Sequence, residues 1–178
     1  MTTIVGKQIG NKVYLGTDSQ VTAIRKYSHP IMAKISERGQ YLIAGAGESA
    51  ACDIAQHIWN PPSPSVSDKK NLYHFMITKV VPSLRQAFKD NDYKYDKDSG
   101  DDYNFLFLIA INGEVFEIAD DFSVCIDIDG IYGIGSGSSY AVGALKAGAD
   151  LQKALEISSQ LDPHTSAPFY FFEQVKRG

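Results

Sequence analysis

Apolar and polar residues alternate at the start of the chain. Thr2-Thr3-Ile4-Val5-Gly6 and Lys12-Val13-Tyr14-Leu15-Gly16 flank Gly10-Asn11. The pattern predicts two strands joined by a tight turn, because glycine and asparagine tolerate positive φ and β-branched residues suit the flanks. A second pair, Ile31 to Ile35 and Tyr41 to Ala46, is separated by Glu37-Arg38-Gly39-Gln40 and predicts another hairpin. After Gly45-Ala46-Gly47 the period changes. Ala51, Ile54, Ala55 and Ile58 recur at helical spacing, with the polar Asp53, Gln56 and His57 between them. Pro61-Pro62-Ser63-Pro64-Ser65 stops this helix, since proline lacks the amide donor and restricts the residue before it. Leu72, Met76, Val80, Leu84 and Phe88 repeat every four residues and predict a longer helix, kinked or divided at Pro82.

The stretch from Asp90 to Asp102 is polar and reads as a surface loop; Asp96 and Asp98 lack the glycine and glutamate spacing of a calcium loop. Phe105 to Ile111, Glu114 to Ile118 and Ser123 to Ile126 predict strands, the first two joined by the hairpin dipeptide Asn112-Gly113. Ile131 to Ile134 predicts one more. Gly135-Ser136-Gly137-Ser138 then leads into Tyr140 to Leu161, which Lys146-Ala147-Gly148-Ala149-Asp150 divides into two helices, and Phe169 to Val175 reads as a closing strand. Strands, helices, strands and helices in that order predict α+β layers rather than the strict alternation of a parallel-sheet fold. With 178 residues and no repeat or linker, a single domain spanning 1–178 is expected.

Composition narrows the partners. Seventeen basic residues against 21 acidic ones leave a net charge of −4, so no basic surplus exists to neutralise phosphates, and neither nucleic acid nor an anionic membrane is an expected partner. No apolar run approaches the roughly 18 residues of a spanning helix, and Met1-Thr2-Thr3-Ile4 lacks the form of a signal peptide, so a cytoplasmic location is expected. Cys52 and Cys125 form no Cys-x-x-Cys and sit among apolar residues, which predicts two buried free thiols and neither a disulfide nor structural zinc.

Several chemistries fail on detail. Gly133, Gly135 and Gly137 lack the third glycine of a dinucleotide fingerprint, and no Gly-Lys-Ser/Thr follows for a phosphate loop. These glycines would instead let backbone approach backbone closely. No Gly-x-Ser-x-Gly accompanies His29, His57, His74 or His164, and the Asp53/His57 pair lacks a third metal ligand. What remains is the amino terminus. Removal of Met1 exposes Thr2, whose α-amine, with an ordinary pKa of roughly 8, lies within reach of its own hydroxyl, so one residue carries nucleophile and base. Such a site needs a cation, a carboxylate to hold it and an amide for the oxyanion. Lys34 and Asp18 fill the first two roles if adjacent strands bring them beside Thr2. The plainer reading makes Thr2 a strand starter, Asp18 a turn residue and Lys34 a solvated surface lysine.

Thr2-Thr3-Ile4-Val5-Gly6, Gly16-Thr17-Asp18-Ser19-Gln20-Val21-Thr22, Lys34, Ile43-Ala44-Gly45 and Gly133-Ile134-Gly135-Ser136-Gly137 together resemble the β-type proteasome subunits, especially the bacterial HslV peptidase. The resemblance runs in order from Thr2 to about Thr165. It implies a four-layer αββα sandwich of the amino-terminal-nucleophile (Ntn) hydrolase type and peptide hydrolysis through an acyl-enzyme on threonine. Thr2 takes the place of the nucleophile, Asp18 of the carboxylate, Lys34 of the lysine, Gly45 of the oxyanion donor and Ser136 of the serine beside the threonine amine.

Asp162 and Thr165 match the Asp-x-x-Ser/Thr spacing that completes that network. In an ungapped HslV-like reading Ser159, Asp162 and Thr165 instead match carbonyls that hold a structural sodium ion. Pro163, Pro168 and Phe169-Tyr170-Phe171-Phe172 depart from both patterns. Val21 and Met32 lie near positions lining the pocket for the residue before the cut.

The resemblance further implies protein or peptide substrates, a homo-oligomeric ring, a separate AAA+ unfoldase and no cofactor required for the chemistry. Loss of Met1 is the expected maturation step. Two other readings share these residues: an Ntn amidase acting on a small amide, and a catalytically silent ring or scaffold subunit.

Overall fold

In chain order the strands are β1 (Thr3–Ile9), β2 (Lys12–Thr17), β3 (Val21–Thr22), β4 (Lys26–Tyr27), β5 (Ile35–Arg38), β6 (Tyr41–Gly47), β7 (Phe105–Ile111), β8 (Glu114–Ala119), β9 (Val124–Cys125), β10 (Ile131–Gly135) and β11 (Tyr170–Val175). The α-helices are α1 (Ser49–Asp53), α2 (Leu72–Phe75), α3 (Val81–Asp90), α4 (Ser138–Lys146) and α5 (Leu151–Leu161). These come from a computed structural model that describes residues 1–22, 26–27, 34–94 and 104–176. Met32, Asp96 and Asp98 lie outside the described residues.

One antiparallel sheet has the order β10-β1-β2-β11, a second β5-β6-β7-β8-β9, and β3 pairs with β4 alone. Side-chain alternation on the strands sorts the core into three clusters. Ile4, Val13, Leu15, Tyr132 and Ile134 of the first sheet meet Leu42, Ala44, Ala46, Leu108 and Ala110 of the second. On its other face the second sheet places Tyr41, Ile43, Phe105, Phe107 and Ile109 against Ile54, Leu72, Phe75, Leu84 and Phe88 of the first helical region. Val5 of the first sheet packs with Ala141, Leu145, Ala154 and Leu155 of α4 and α5. The uninterrupted apolar run of β7 follows, because both of its faces are covered.

Four local expectations change. Glu37 and Arg38 belong to β5 rather than to a turn, since Arg38 pairs with Tyr41 and only Gly39-Gln40 connect them, with Gly39 at φ +60°. The first helix is α for one stretch only and widens to a π-turn over Ile54–Ile58. The four-residue repeat from Leu72 to Phe88 is divided: α2 passes into a π-turn over Met76–Val80 and α3 carries Pro82 in its first turn. There the missing proline amide and the bulk of its ring are accommodated by the wider turn before it. Finally, Cys125 is exposed, because β9 is a two-residue strand at the sheet edge, whereas Cys52 is buried as expected. Asn112-Gly113 forms the expected turn with both residues at positive φ.

Candidate active site

The end of β2 and the start of β1 lie side by side, with Ile4 opposite Thr17. This register carries Asp18 to the amino terminus of the chain. Its Oδ1 accepts from the Thr3 amide at 2.9 Å and from Lys34 Nζ at 2.6 Å. Its Oδ2 accepts from the amides of Gln20 at 3.0 Å and Ser166 at 3.3 Å. Asp18 is fully buried, and Thr2 and Lys34 are each more than nine-tenths buried. A solvated Lys34 is therefore excluded.

Lys34 is held at both ends. Its ammonium donates to the Gln20 carbonyl at 2.6 Å as well as to Asp18. Its own carbonyl accepts from Gln56 Nε2 at 2.8 Å and from the Gly45 amide at 3.1 Å. Burial pulls the Lys34 pKa below its ordinary 10.5, against the opposing charge and hydrogen bond of Asp18. The amine of Met1 is likewise lowered, first by burial and then by the Lys34 charge, while Asp18, Asp162 and Cys52 oppose the shift.

The Gly45 amide is thus committed to the β5–β6 ladder, which corrects its expected place as oxyanion donor. Along an antiparallel strand successive amides point to opposite neighbours. Gly45 faces β5, and Glu48 faces the other side, donating to the Asn104 carbonyl at 2.7 Å. Gly47 shares the parity of Gly45 along β6 and lies opposite Phe105 of β7. It must be glycine: φ is +110° and a Cβ would sit 2.3 Å from the Asn104 carbonyl oxygen.

On the other side of the terminus, β10 ends at Gly135, opposite Thr3. A Cβ on Gly135 would stand 1.9 Å from the Thr2 carbonyl oxygen, so the close approach anticipated from the glycine triplet is made to the backbone of Thr2 itself. Ser136 Oγ donates to Asp162 Oδ2 at 2.8 Å and lies 3.4 Å from the Thr2 carbonyl. Asp162 Oδ2 also accepts from Thr165 Oγ1 at 2.6 Å, and its Oδ1 from the His164 amide at 3.1 Å. Burial raises the Asp162 pKa, but these three hydrogen bonds outweigh it and hold the carboxyl below its ordinary 3.8.

The side chains of Ser159, Asp162 and Thr165 are thereby all occupied, since Ser159 Oγ donates to the Glu156 carbonyl at 2.8 Å. The Asp162 carbonyl accepts from the Thr165 amide at 3.2 Å. Among the described residues no group of three or more His, Cys, Asp or Glu side chains could hold a metal. The donor set left at this loop is backbone carbonyl oxygen, which suits a monovalent cation and not a transition metal. Val21 follows directly on Gln20, half-buried at the start of β3, opposite Tyr27.

Three participants escape the sequence reading. Gln56 looks like a solvent-facing residue at helical spacing, yet the π-turn brings its amide, 2% exposed, onto the carbonyls of Lys34 and Ile43. Gln20 and Thr3 look like strand residues, and nothing local marks their contacts with Lys34 and Asp18.

Two antiparallel sheets with helices, with the amino terminus set among a buried lysine and two carboxylates, form a fold shared with the solved structures of BPH, HslV and Anbu. No family model matches the chain, and no curated protein does. Solved structures do. BPH from Thiobacillus denitrificans is 20% identical, with 99% of each chain covered and a TM-score of 0.70, and has also been solved in complex with epoxomicin. Eukaryotic HslV from Trypanosoma brucei is 23% identical over 98% of this chain and 99% of that one, with a TM-score of 0.61. Anbu (ancestral beta-subunit) from Yersinia bercovieri is 13% identical over 98% of this chain and 82% of its own, with a TM-score of 0.66. At these identities the likeness is one of fold. No helix among the described residues is long and apolar enough to cross a membrane.

Proposed function

We propose that this chain is a threonine-type endopeptidase, a single Ntn-hydrolase domain with four αββα layers, whose nucleophile is Thr2 after removal of Met1. The observation that carries this reading is the shared oxygen of Asp18: Lys34 Nζ and the Thr3 amide meet on it, which holds the second residue of the chain beside a buried lysine of lowered pKa. The Thr2 hydroxyl attacks the scissile carbonyl and its proton passes to the α-amine of the same residue. The oxygen–carbon bond forms, the oxyanion is received by the Gly47 amide, and the carbon–nitrogen bond breaks as the leaving amine takes the proton. Water then hydrolyses the ester and restores Thr2. Lys34 keeps a positive charge near the hydroxyl oxygen and lowers the amine pKa, so that the base is neutral at moderate pH.

The reading extends to a cytoplasmic homo-oligomeric ring fed by an AAA+ unfoldase, acting on protein or peptide chains. The resemblance assigns the pocket for the residue before the cut to the positions of Val21 and Met32. A sodium ion would be held by the backbone carbonyls of Ser159, Asp162 and Thr165 as a structural ion, with no part in bond cleavage. Epoxomicin in the BPH complex supports a peptide epoxyketone as the probe.

The test is intact-mass analysis of the purified protein before and after that probe. Loss of Met1 and one adduct per chain on Thr2, together with hydrolysis of extended fluorogenic peptides, is the expected result. Retained Met1 and no adduct would overturn it in favour of a silent ring subunit. Turnover of small amides with no cleavage of peptides would favour the amidase.

A further inference from the structure

Lys34 stands immediately before β5, the edge strand of the second sheet, and is tied at both ends. Its ammonium reaches Asp18 Oδ1 and the Gln20 carbonyl, each at 2.6 Å. Its own carbonyl oxygen has two lone pairs to offer. The Gly45 amide takes one at 3.1 Å, at the end of the β5–β6 ladder, and Gln56 Nε2 takes the other at 2.8 Å. Gln56 Nε2 also donates to the Ile43 carbonyl at 3.2 Å, so one amide group bridges the start of β5 and the middle of β6. Ser36 Oγ adds a second tie by donating to the Gln56 carbonyl at 3.2 Å. Gln56 therefore grips the chain on either side of Ile35, by its side chain at Lys34 and by its main chain at Ser36.

Apolar burial is given up to put Gln56 there. The helical repeat Ala51, Ile54, Ala55 and Ile58 would bury Ile58 and expose Gln56. The π-turn over Ile54–Ile58, closed by the Trp59 amide on the Ile54 carbonyl at 2.7 Å, holds one residue more than an α-turn and reverses both outcomes. Ile58 is 54% exposed and Gln56 2%. A buried amide is costly unless it is hydrogen-bonded, and the partners this one finds are the carbonyls of Lys34 and Ile43. Wide turns of this kind recur at functional sites, and a break in the hydrophobic pattern is expected where placement matters more than burial.

We infer that Gln56 is a positioning residue for Lys34: its amide fixes the main chain where the lysine leaves the edge of the sheet, and so sets the depth at which the ammonium sits against Asp18. Asp18 does not follow a lysine that moves, because its carboxylate is also held by the amides of Thr3, Gln20 and Ser166. A lysine side chain carries much rotamer freedom, so its charged end stays in place only if its main-chain end does. Without Gln56 the Lys34 carbonyl keeps the single bond from Gly45, and the ammonium gains access to water. Gln56 touches neither substrate nor reacting atoms, and only the kinetic consequence rests on the threonine-nucleophile reading. The charged groups facing the ammonium are Asp18, Asp162 and the amino group of the chain, and Gln56 bonds to none of them.

Gln56→Met keeps the length of the side chain and deletes both of its hydrogen bonds. Ser36→Ala removes only the second tie, and Val80→Ala, a fully buried truncation in the same helical layer, serves as the control for lost stability alone. In the full-length protein Lys34 is titrated by competitive acetylation across pH, read by mass spectrometry of the peptide that carries it, and peptide hydrolysis is measured alongside. Burial is the main cause that lowers the Lys34 pKa, so a more hydrated ammonium titrates closer to its ordinary 10.5. In Gln56→Met the Lys34 midpoint should therefore move to higher pH, with kcat down about five- to tenfold and KM unchanged. Ser36→Ala should move the midpoint the same way by less, and Val80→Ala should leave it where it is. A midpoint unmoved in Gln56→Met and Ser36→Ala, or moved as far in Val80→Ala, overturns the inference. A wild type that neither cleaves peptide nor labels at Thr2 refutes the protease reading instead, and the Lys34 titration still decides the role of Gln56.

Discussion

At the scale of single residues, the pairing of Lys34 with Asp18 governs what a mutation does. Both are buried, so deleting one leaves an uncompensated charge in the interior. Lys34→Met is expected to abolish turnover and to lower stability by about 3–5 kcal/mol in urea unfolding, and adding Asp18→Asn should recover part of the loss. Thr2→Ala should abolish turnover and the epoxyketone adduct while the unfolding midpoint stays within about 2 °C, because it removes one hydroxyl and no charge.

The two shifted groups act on stability in opposite pH ranges. Lys34 has a folded-state pKa below its ordinary 10.5, so between the two values the unfolded chain binds more protons and this group makes stability rise with pH. Asp162 has a folded-state pKa below 3.8, so its contribution is present above that value and is lost as pH falls through the folded one. Asp162→Asn should flatten the acid limb of the stability profile, measured by urea unfolding from about pH 6 down to about pH 3.

At the scale of elements, what matters is where strands and helices stop. β5 begins at Ile35, directly after Lys34, and the Lys34 carbonyl satisfies the Gly45 amide. The end of β10 at Gly135 is where the chain can press against the Thr2 carbonyl. Gly135→Ala, with a Cβ 1.9 Å from that oxygen and φ of +93°, should cost more than about 3 kcal/mol and eliminate labelling of Thr2. Gly148→Ala is the control: φ is +98° but the Cβ would meet nothing within 4 Å, so about 1 kcal/mol should be lost with labelling intact.

The hairpin turns at Gly10-Asn11 and Asn112-Gly113, and the division of the last helical region at Gly148, were legible because turn chemistry is local. The π-turn that delivers Gln56 to the Lys34 carbonyl was not, since an added residue in one turn leaves a nearly helical hydrophobic pattern.

For the whole molecule, the proposed ring predicts a native mass that is a multiple of the single chain, measured by light scattering or native mass spectrometry; a monomer at micromolar concentration would count against it. The α+β order of elements and the spacing from Thr2 to Asp18 to Lys34 were fixed by local alternation, turn residues and sequence order. That spacing was enough to bring the chemistry of an amino-terminal threonine into view, because the β1–β2 hairpin forces Asp18 back to the first strand. Which groups remain unpaired was settled only in three dimensions. The bond of the Gly45 amide to the Lys34 carbonyl, the closure of Asp162 onto Ser136 and Thr165, the contacts of Thr3 and the exposure of Cys125 all depend on which neighbouring strand ends where. Propensity acts over a few residues, whereas a shared carboxylate oxygen or a pair of touching hydroxyls is a property of segments more than 160 positions apart meeting at the end of a strand, as Thr3 and Thr165 do across a separation of 162.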